Sequence, residues 1–143
     1  MIRNLQLKDR ENWSKLYIDY ADFYKVPMNA DILNTLWSWI HNKNHIVNGI
    51  CFELEDKILG IAHYRAMPRP IKGQYIGFLD DLYVKPEFRC QKIAQKLINH
   101  LKSLSKDNNW EGIRWITHSS NQNAKKLYDK IAINTGFELY ELK

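Results

Sequence analysis

Cysteine is scarce in this chain. There are two in 143 residues, Cys51 and Cys90, and they lie too far apart in sequence to form a metal-spaced cluster. Cys51 falls in a strand-like run and reads as a core thiol. Cys90 has no histidine placed locally to activate it, so it reads as a spacer rather than a nucleophile. The five histidines, His41, His45, His63, His100 and His118, show no ligand spacing, and no metal is expected. Long apolar runs are also missing. None approaches the roughly 18 residues of a membrane span. Arg3, Lys8, Asp9 and Arg10 break any apolar leader near the start, so no signal peptide is expected and a cytoplasmic protein is the default. Internal repeats, low-complexity tracts and linkers are absent, which at this length predicts one domain over 1–143.

What is present is enough apolar matter for a core, 45% of residues, and a basic balance of +5. Such a charge suits a polyanion, either a phosphate-bearing cofactor or nucleic acid, and equally a solvated basic surface. Lys92, Lys96, Lys102, Lys125 and Lys126 fall on predicted loops and helix exteriors. They are not interleaved with aromatics on a strand face, which argues against a nucleic-acid module.

The pattern is predicted to run β-α-α-β-β-β-α-β-α-β, a mixed α/β arrangement. Ile2 to Leu7 reads as a short strand. Asp9 is placed to cap a helix in which Trp13, Leu16, Tyr17, Tyr20 and Tyr24 recur at helical spacing. Asn29 is placed to cap a second helix with Leu33, Leu36, Trp37 and Ile40 on its inner stripe. Alternation over Ile50 to Leu54 and again from Leu59 to His63 predicts an antiparallel hairpin. Ala66 to Gly73, with two prolines, reads as a loop. Gly112 to Thr117 and Gly136 to Leu142 read as strands flanking a helix with Ala124, Leu127, Tyr128 and Ile131 on one stripe.

The centre of the chain is Phe78 to Leu97. Phe78 to Val84 is rich in aromatic and branched residues and predicts a strand. Pro86 stops it. Ile93, Leu97, Leu101 and Leu104 then predict a helix. A strand that feeds a helix through a short turn leaves the first helical N–H groups unpaired. Arg89 and Lys92 stand beside them, making an anion site suited to phosphate or pyrophosphate.

The turn Arg89-Cys90-Gln91-Lys92-Ile93-Ala94 resembles motif A of the GNAT superfamily of acetyl-CoA-dependent N-acetyltransferases, whose turn reads Arg/Gln-x-x-Gly-x-Gly/Ala. Arg89 and Ala94 match, while Lys92 replaces the central glycine. Asn121-Gln122-Asn123-Ala124-Lys125-Lys126-Leu127-Tyr128, followed by Gly136-Phe137, is similar to a second segment of that family. The likeness covers essentially the whole chain. It looks closest to the small-amine and polyamine branch and the histone/polyamine type, which share an aromatic-rich first helix.

This resemblance implies a GNAT-like mixed sheet of about six to seven strands flanked by about four helices. It implies acetyl-CoA as cofactor, held by Leu82, Tyr83, Val84, Arg89, Cys90, Gln91, Lys92, Ile93, Ala94 and Asn121. It implies a small-molecule amine as acceptor, Tyr128 as the acid for the leaving thiolate, and the acidic base at the first of the pair Asp80-Asp81. It also implies a possible homodimer. Asp81 and Tyr24 are the candidate acceptor contacts, because carboxylates and aromatic faces attract cationic amines. In a regular strand adjacent residues face opposite ways, so only one of Asp80 and Asp81 is expected to face the pocket. A lysine side chain of a protein remains an alternative acceptor, and a non-catalytic acyl-CoA-binding or nucleic-acid-binding module an alternative role.

Overall fold

The computed structural model describes residues 1–143. Five strands form one sheet in the order β1-β2-β3-β4-β5. They are β1 (Ile2–Asn4), β2 (Asn48–Leu54), β3 (Lys57–Arg69), β4 (Gln74–Val84) and β5 (Ile113–Trp115). The first three pairings are antiparallel and β4–β5 is parallel. Helices α1 (Arg10–Phe23) and α2 (Ala30–Ile40) lie between β1 and β2, α3 (Ile93–Asp107) follows β4, and α4 (Gln122–Ile131) follows β5.

The sheet is covered on both faces, so each face has its own apolar cluster. On one side Trp13 and Leu16 of α1 and Leu33, Leu36 and Trp37 of α2 meet Cys51, Ile58, Ile61 and Tyr83. On the other side Ile93, Leu97, Ile98 and Leu101 of α3 meet Ile50, Phe52, Leu59, Ala62, Leu79 and Val84. The alternation along β2 and β3 divides each strand's side chains between these two layers. The apolar stripes of α1, α2 and α3 fall as their 3.6-residue spacing requires.

The expected strand count is corrected from six or seven to five. Gly136 to Leu142 forms no strand: residues after α4 have no ladder partner, and 133–143 are all exposed. The segment from Ala66 is not a loop either. β3 continues through Arg69, and only Pro70–Lys72 makes a single helical turn before β4 begins. Arg69 pairs with Glu111 at 2.9 Å. Asn29 caps α2 as expected, accepting from the Ile32 N–H at 2.9 Å. Asp9 occupies the N-cap position of α1 without capping it. Its carboxylate instead accepts from the Gln6 N–H and from Arg3, whose guanidinium also reaches Glu53 on β2.

Candidate active site

β3 and β4 pair through a bulge. His63 lies opposite Asp81, but Tyr64 lies opposite Leu79, so Asp80 is an extra residue on β4. A bulge turns neighbouring side chains away from strict alternation. The expectation that only one of Asp80 and Asp81 faces the pocket is therefore overturned. Both line a cavity of about 650 Å³ together with Tyr17, Asp31, Trp39, His63 and Arg65.

Within this cavity the two carboxylates have different surroundings. Asp81 is the deeper. Its Oδ2 accepts from the Tyr17 hydroxyl at 3.0 Å and lies 2.8 Å from His63 Nδ1. Burial alone raises a carboxyl's pKa, but the His63 and tyrosine hydrogen bonds outweigh it and hold Asp81 below the ordinary carboxylate range. Asp80 sits nearer the rim, where both its oxygens accept from Arg65 Nε at 3.1 and 3.2 Å. Burial prevails there, and with the neighbouring Asp81 charge it moves Asp80 up despite Arg65. One pocket thus holds a carboxylate pushed down beside one pushed up.

Helix α1 connects this pocket to the far side of β4. Tyr17 stacks on Trp13 and Tyr20, and Tyr20 meets Tyr24 and Tyr83, with centroids 4.9–6.0 Å apart. Residues three or four apart share a helix face, so the aromatic spacing of the sequence becomes a continuous row. Tyr24, at the end of this row, does not line the acceptor cavity. It lies close enough to Tyr128 to affect its hydroxyl. Tyr128 on α4 packs edge-on against Trp115, centroids 5.3 Å apart. Burial first, then Tyr24, pushes its phenol up to about 12, so it carries its proton throughout the neutral range.

The residues expected to hold an anion lie along the edge of β4 and in the turn that follows it. β5 pairs only with Gly77 to Leu79, so beyond Leu79 the outer edge of β4, through Leu82, Tyr83 and Val84, has no strand beside it. The turn after β4 places Cys90 at φ 67° and Lys92 at φ 62°, both left-handed. Lys92 is the N-cap of α3 and supplies no side-chain cap, which leaves the first helical N–H groups available. Arg89 Nε donates to the Val84 carbonyl at 3.1 Å, and its guanidinium lies over the rings of Tyr83 and Phe23. Cys90 and Gln91 are exposed in this turn.

Ile93 is buried and Ala94 packs against the core, so what they offer a ligand is backbone. Asn121 spends its side chain on its own helix, accepting from the Ala124 N–H at 3.4 Å. An open strand edge aimed at an uncapped helix terminus beside a cation fits a long amide-bearing arm ending in phosphates, which is the chemistry of coenzyme A.

A pocket with paired carboxylates, beside a strand edge that opens onto an uncapped helix N-terminus, suits an acyl transferase. Residues 10–132 match the family model described as the acetyltransferase (GNAT) family. The chain belongs to that family and is an acetyl-CoA-dependent N-acetyltransferase. It is 27% identical over 143 residues to a D-amino-acid N-acetyltransferase of Saccharomyces cerevisiae, covering 99% of this chain and 89% of that protein. It is 29% identical over 116 residues to a thialysine N-epsilon-acetyltransferase of Caenorhabditis elegans, covering 79% of this chain and 69% of that protein. Among solved structures, a possible acetyltransferase from Clostridium difficile has the same fold, with a TM-score of 0.87 at 20% identity over 100% of this chain and 96% of that one. AAC(6')-Iy in complex with the bisubstrate analogue CoA-S-monomethyl-acetylneamine superposes with a TM-score of 0.87 at 16% identity, over 100% of this chain and 97% of that one.

Sequence reasoning singled out Asp80, Asp81, Arg89, Lys92 and Tyr128. It missed Tyr17 and Arg65 as partners of the carboxylates, and assigned His63 no part in the site. The one available signal was the period-2 placement of His63 and Arg65 on a strand predicted to pair with its neighbour.

Proposed function

We propose that the chain acetylates the primary amine of a small cationic acceptor, an amino acid or a polyamine, by direct attack of that amine on the thioester. The observation that carries this reading is the pair of adjacent carboxylates in one pocket with pKa values pushed apart. Groups separated in this way divide the work of binding a charge and moving a proton.

An amine with a pKa of about 10 arrives as an ammonium. Asp81, held ionised, binds it. Asp80, whose affinity for protons is raised, takes the proton directly or through a water. Arg65 at the rim offers a fork for an acceptor carboxylate, and Leu36, Trp39, Ile46 and Val47 give the cavity an apolar wall for its side chain. The names of the two curated relatives, one acting on D-amino acids and one on thialysine, support an amino-acid acceptor.

Acetyl-CoA, when bound, supplies the acyl group as a thioester. The free edge of β4 from Leu82 to Val84 would hold its amide-bearing arm, with a backbone N–H near Leu82 directed at the carbonyl. The α3 N-terminus, Arg89 and Lys92 would hold its phosphates. Tyr128, protonated at neutral pH, would serve the departing thiolate.

A second reading, a lysine side chain of a peptide as in the histone/polyamine type, draws on the exposed Ile32, Trp39 and Ile46 at the cavity rim, where a longer chain could rest. Thiol release from acetyl-CoA across D- and L-amino acids, polyamines and a histone-tail peptide tests both. Amino acids or polyamines are expected to turn over. Turnover confined to the peptide selects the second reading, and CoA binding without release on any amine removes both.

A further inference from the structure

We propose that Trp13 and His63 form a one-way hydrogen-bond chain that fixes the Asp81 carboxylate in the pocket where it meets the acceptor ammonium. Both are positioning residues that never touch the acceptor's reacting atoms. This deepens the reading of Asp81 as the ammonium anchor and rests on it.

The direction of the chain follows from donor inventory alone. Trp13 is fully buried on α1, and its Nε1 lies 2.9 Å from His63 Nε2. An indole N–H can only donate, so Nε2 of His63 must present its lone pair. The imidazole proton therefore sits on Nδ1, where it donates to Asp81 Oδ2 at 2.8 Å. Tyr17 donates to the same oxygen at 3.0 Å. Oδ2 is thus taken by two donors, and the Tyr20 hydroxyl is a further hydrogen-bond partner of the same carboxylate. His63 is 1% exposed, so water does not replace these partners.

The arrangement has a chemical consequence. The Nε2 lone pair is engaged by the Trp13 N–H, so the imidazole offers Asp81 a donor and presents no free acceptor toward the pocket. Asp80 is left as the carboxylate placed to take the proton from the amine. The charged and titratable groups that face this chain are Tyr17 and Tyr20 from α1, Asp80 from β4 and Arg65 from β3. Asp31 of α2 and His45 look in from across the cavity. None of them supplies an acceptor for the Trp13 N–H or a donor to His63 Nε2.

The test is histidine side-chain ¹⁵N NMR on the full chain, with His63 assigned from the signal lost in His63→Leu. The expected result is an Nδ1–H tautomer in the wild type, with that preference weakened in Trp13→Phe. Carboxyl ¹³C NMR reads the other end. The Asp81 midpoint is expected to rise in His63→Leu and to return toward the wild-type value in His63→Asn, whose amide N–H stands where Nδ1–H stood. With the best amine of the acceptor panel, His63→Leu is expected to raise the acceptor KM about tenfold with a smaller change in kcat, and His63→Asn to recover most of it. An Nε2–H tautomer overturns the proposal. So does an Asp81 midpoint that is the same in His63→Leu. If Asp81→Asn leaves the acceptor KM unchanged, the anchor reading fails on its own account, while the two NMR arms still decide the hydrogen-bond chain.

Discussion

Asp80 and Asp81 are neighbours in sequence, yet they should respond to mutation in different ways. Asp81→Asn removes the anion that meets the ammonium and is expected to raise acceptor KM about tenfold, the order of one charge-assisted hydrogen bond. Asp80→Asn removes the proton acceptor and is expected to lower kcat about a hundredfold with acceptor KM little changed. The pH profile separates them further. A general base works in its deprotonated form, so activity falls as pH drops through its pKa. Burial raises that of Asp80, so the acid limb should lie above the ordinary aspartate range and disappear in Asp80→Asn. Tyr128→Phe deletes one hydroxyl from a half-buried ring, and kcat should fall about a hundredfold while CoA still binds by calorimetry. The sequence displayed all three residues and their chemical types. It did not show that both carboxylates share the pocket, because a bulge arises from cross-strand register and no residue in Leu79-Asp80-Asp81 announces one.

Elements were legible wherever a single period ran uninterrupted. The stripes of α1, α2 and α3 and the β2–β3 hairpin stand close to where their spacing placed them. Pro68 and Pro70 misled, because β3 carries Pro68 and ends only at Arg69. Asp9 misled as well, because Arg3, 50 residues from its other partner Glu53 on β2, competes for its carboxylate. That network fixes the start of α1 to the β1–β2 edge. Arg3 hydrogen bonds hold Asp9 and Glu53 below their ordinary pKa values. A depressed carboxylate contributes stability above its unfolded pKa and loses it as pH falls through the folded one. The Tm gap between wild type and Arg3→Met should therefore be fully open near neutrality and close below about pH 4. The turn before α3 gives the opposite sign. Lys92 sits at φ 62°, where a non-glycine residue costs about 1–2 kcal/mol, and glycine returns roughly half of that as unfolded-chain freedom. Lys92→Gly should raise Tm by about 2 °C and make CoA binding less salt-dependent, since one cation leaves the anion site.

At the scale of the whole molecule, two unpaired edges stand out. The outer edge of β5 has no strand beside it, and Trp115, Tyr128 and Ile131 around it are only partly buried at the margin of the core. The segment after α4 alternates like a strand, as its sequence promised, yet Phe137 is 81% exposed, Tyr140 86% and Leu142 99%. Phe137 of this segment lies beneath the Arg114 guanidinium. A strand-forming tail and an open edge on the same chain satisfy each other when two copies exchange tails, each lying along the other's β5. A seven-residue strand docked twice over hides surface on the scale of the roughly 1,000 Å² that a specific interface requires. The sequence could show the strand but not which chain it joins, because pairing within and between copies uses the same residues. Light scattering should find the full chain dimeric and Leu139→Asp monomeric. Exchange has a sharper signature in a Cys90→Ser background, with Leu139→Cys on one population and Ile116→Cys on another. Mixing the two should yield a disulfide-linked pair of unlike chains. A full chain that stays monomeric with the amides of 136–142 protected from hydrogen exchange would mean that the tail folds back on its own β5.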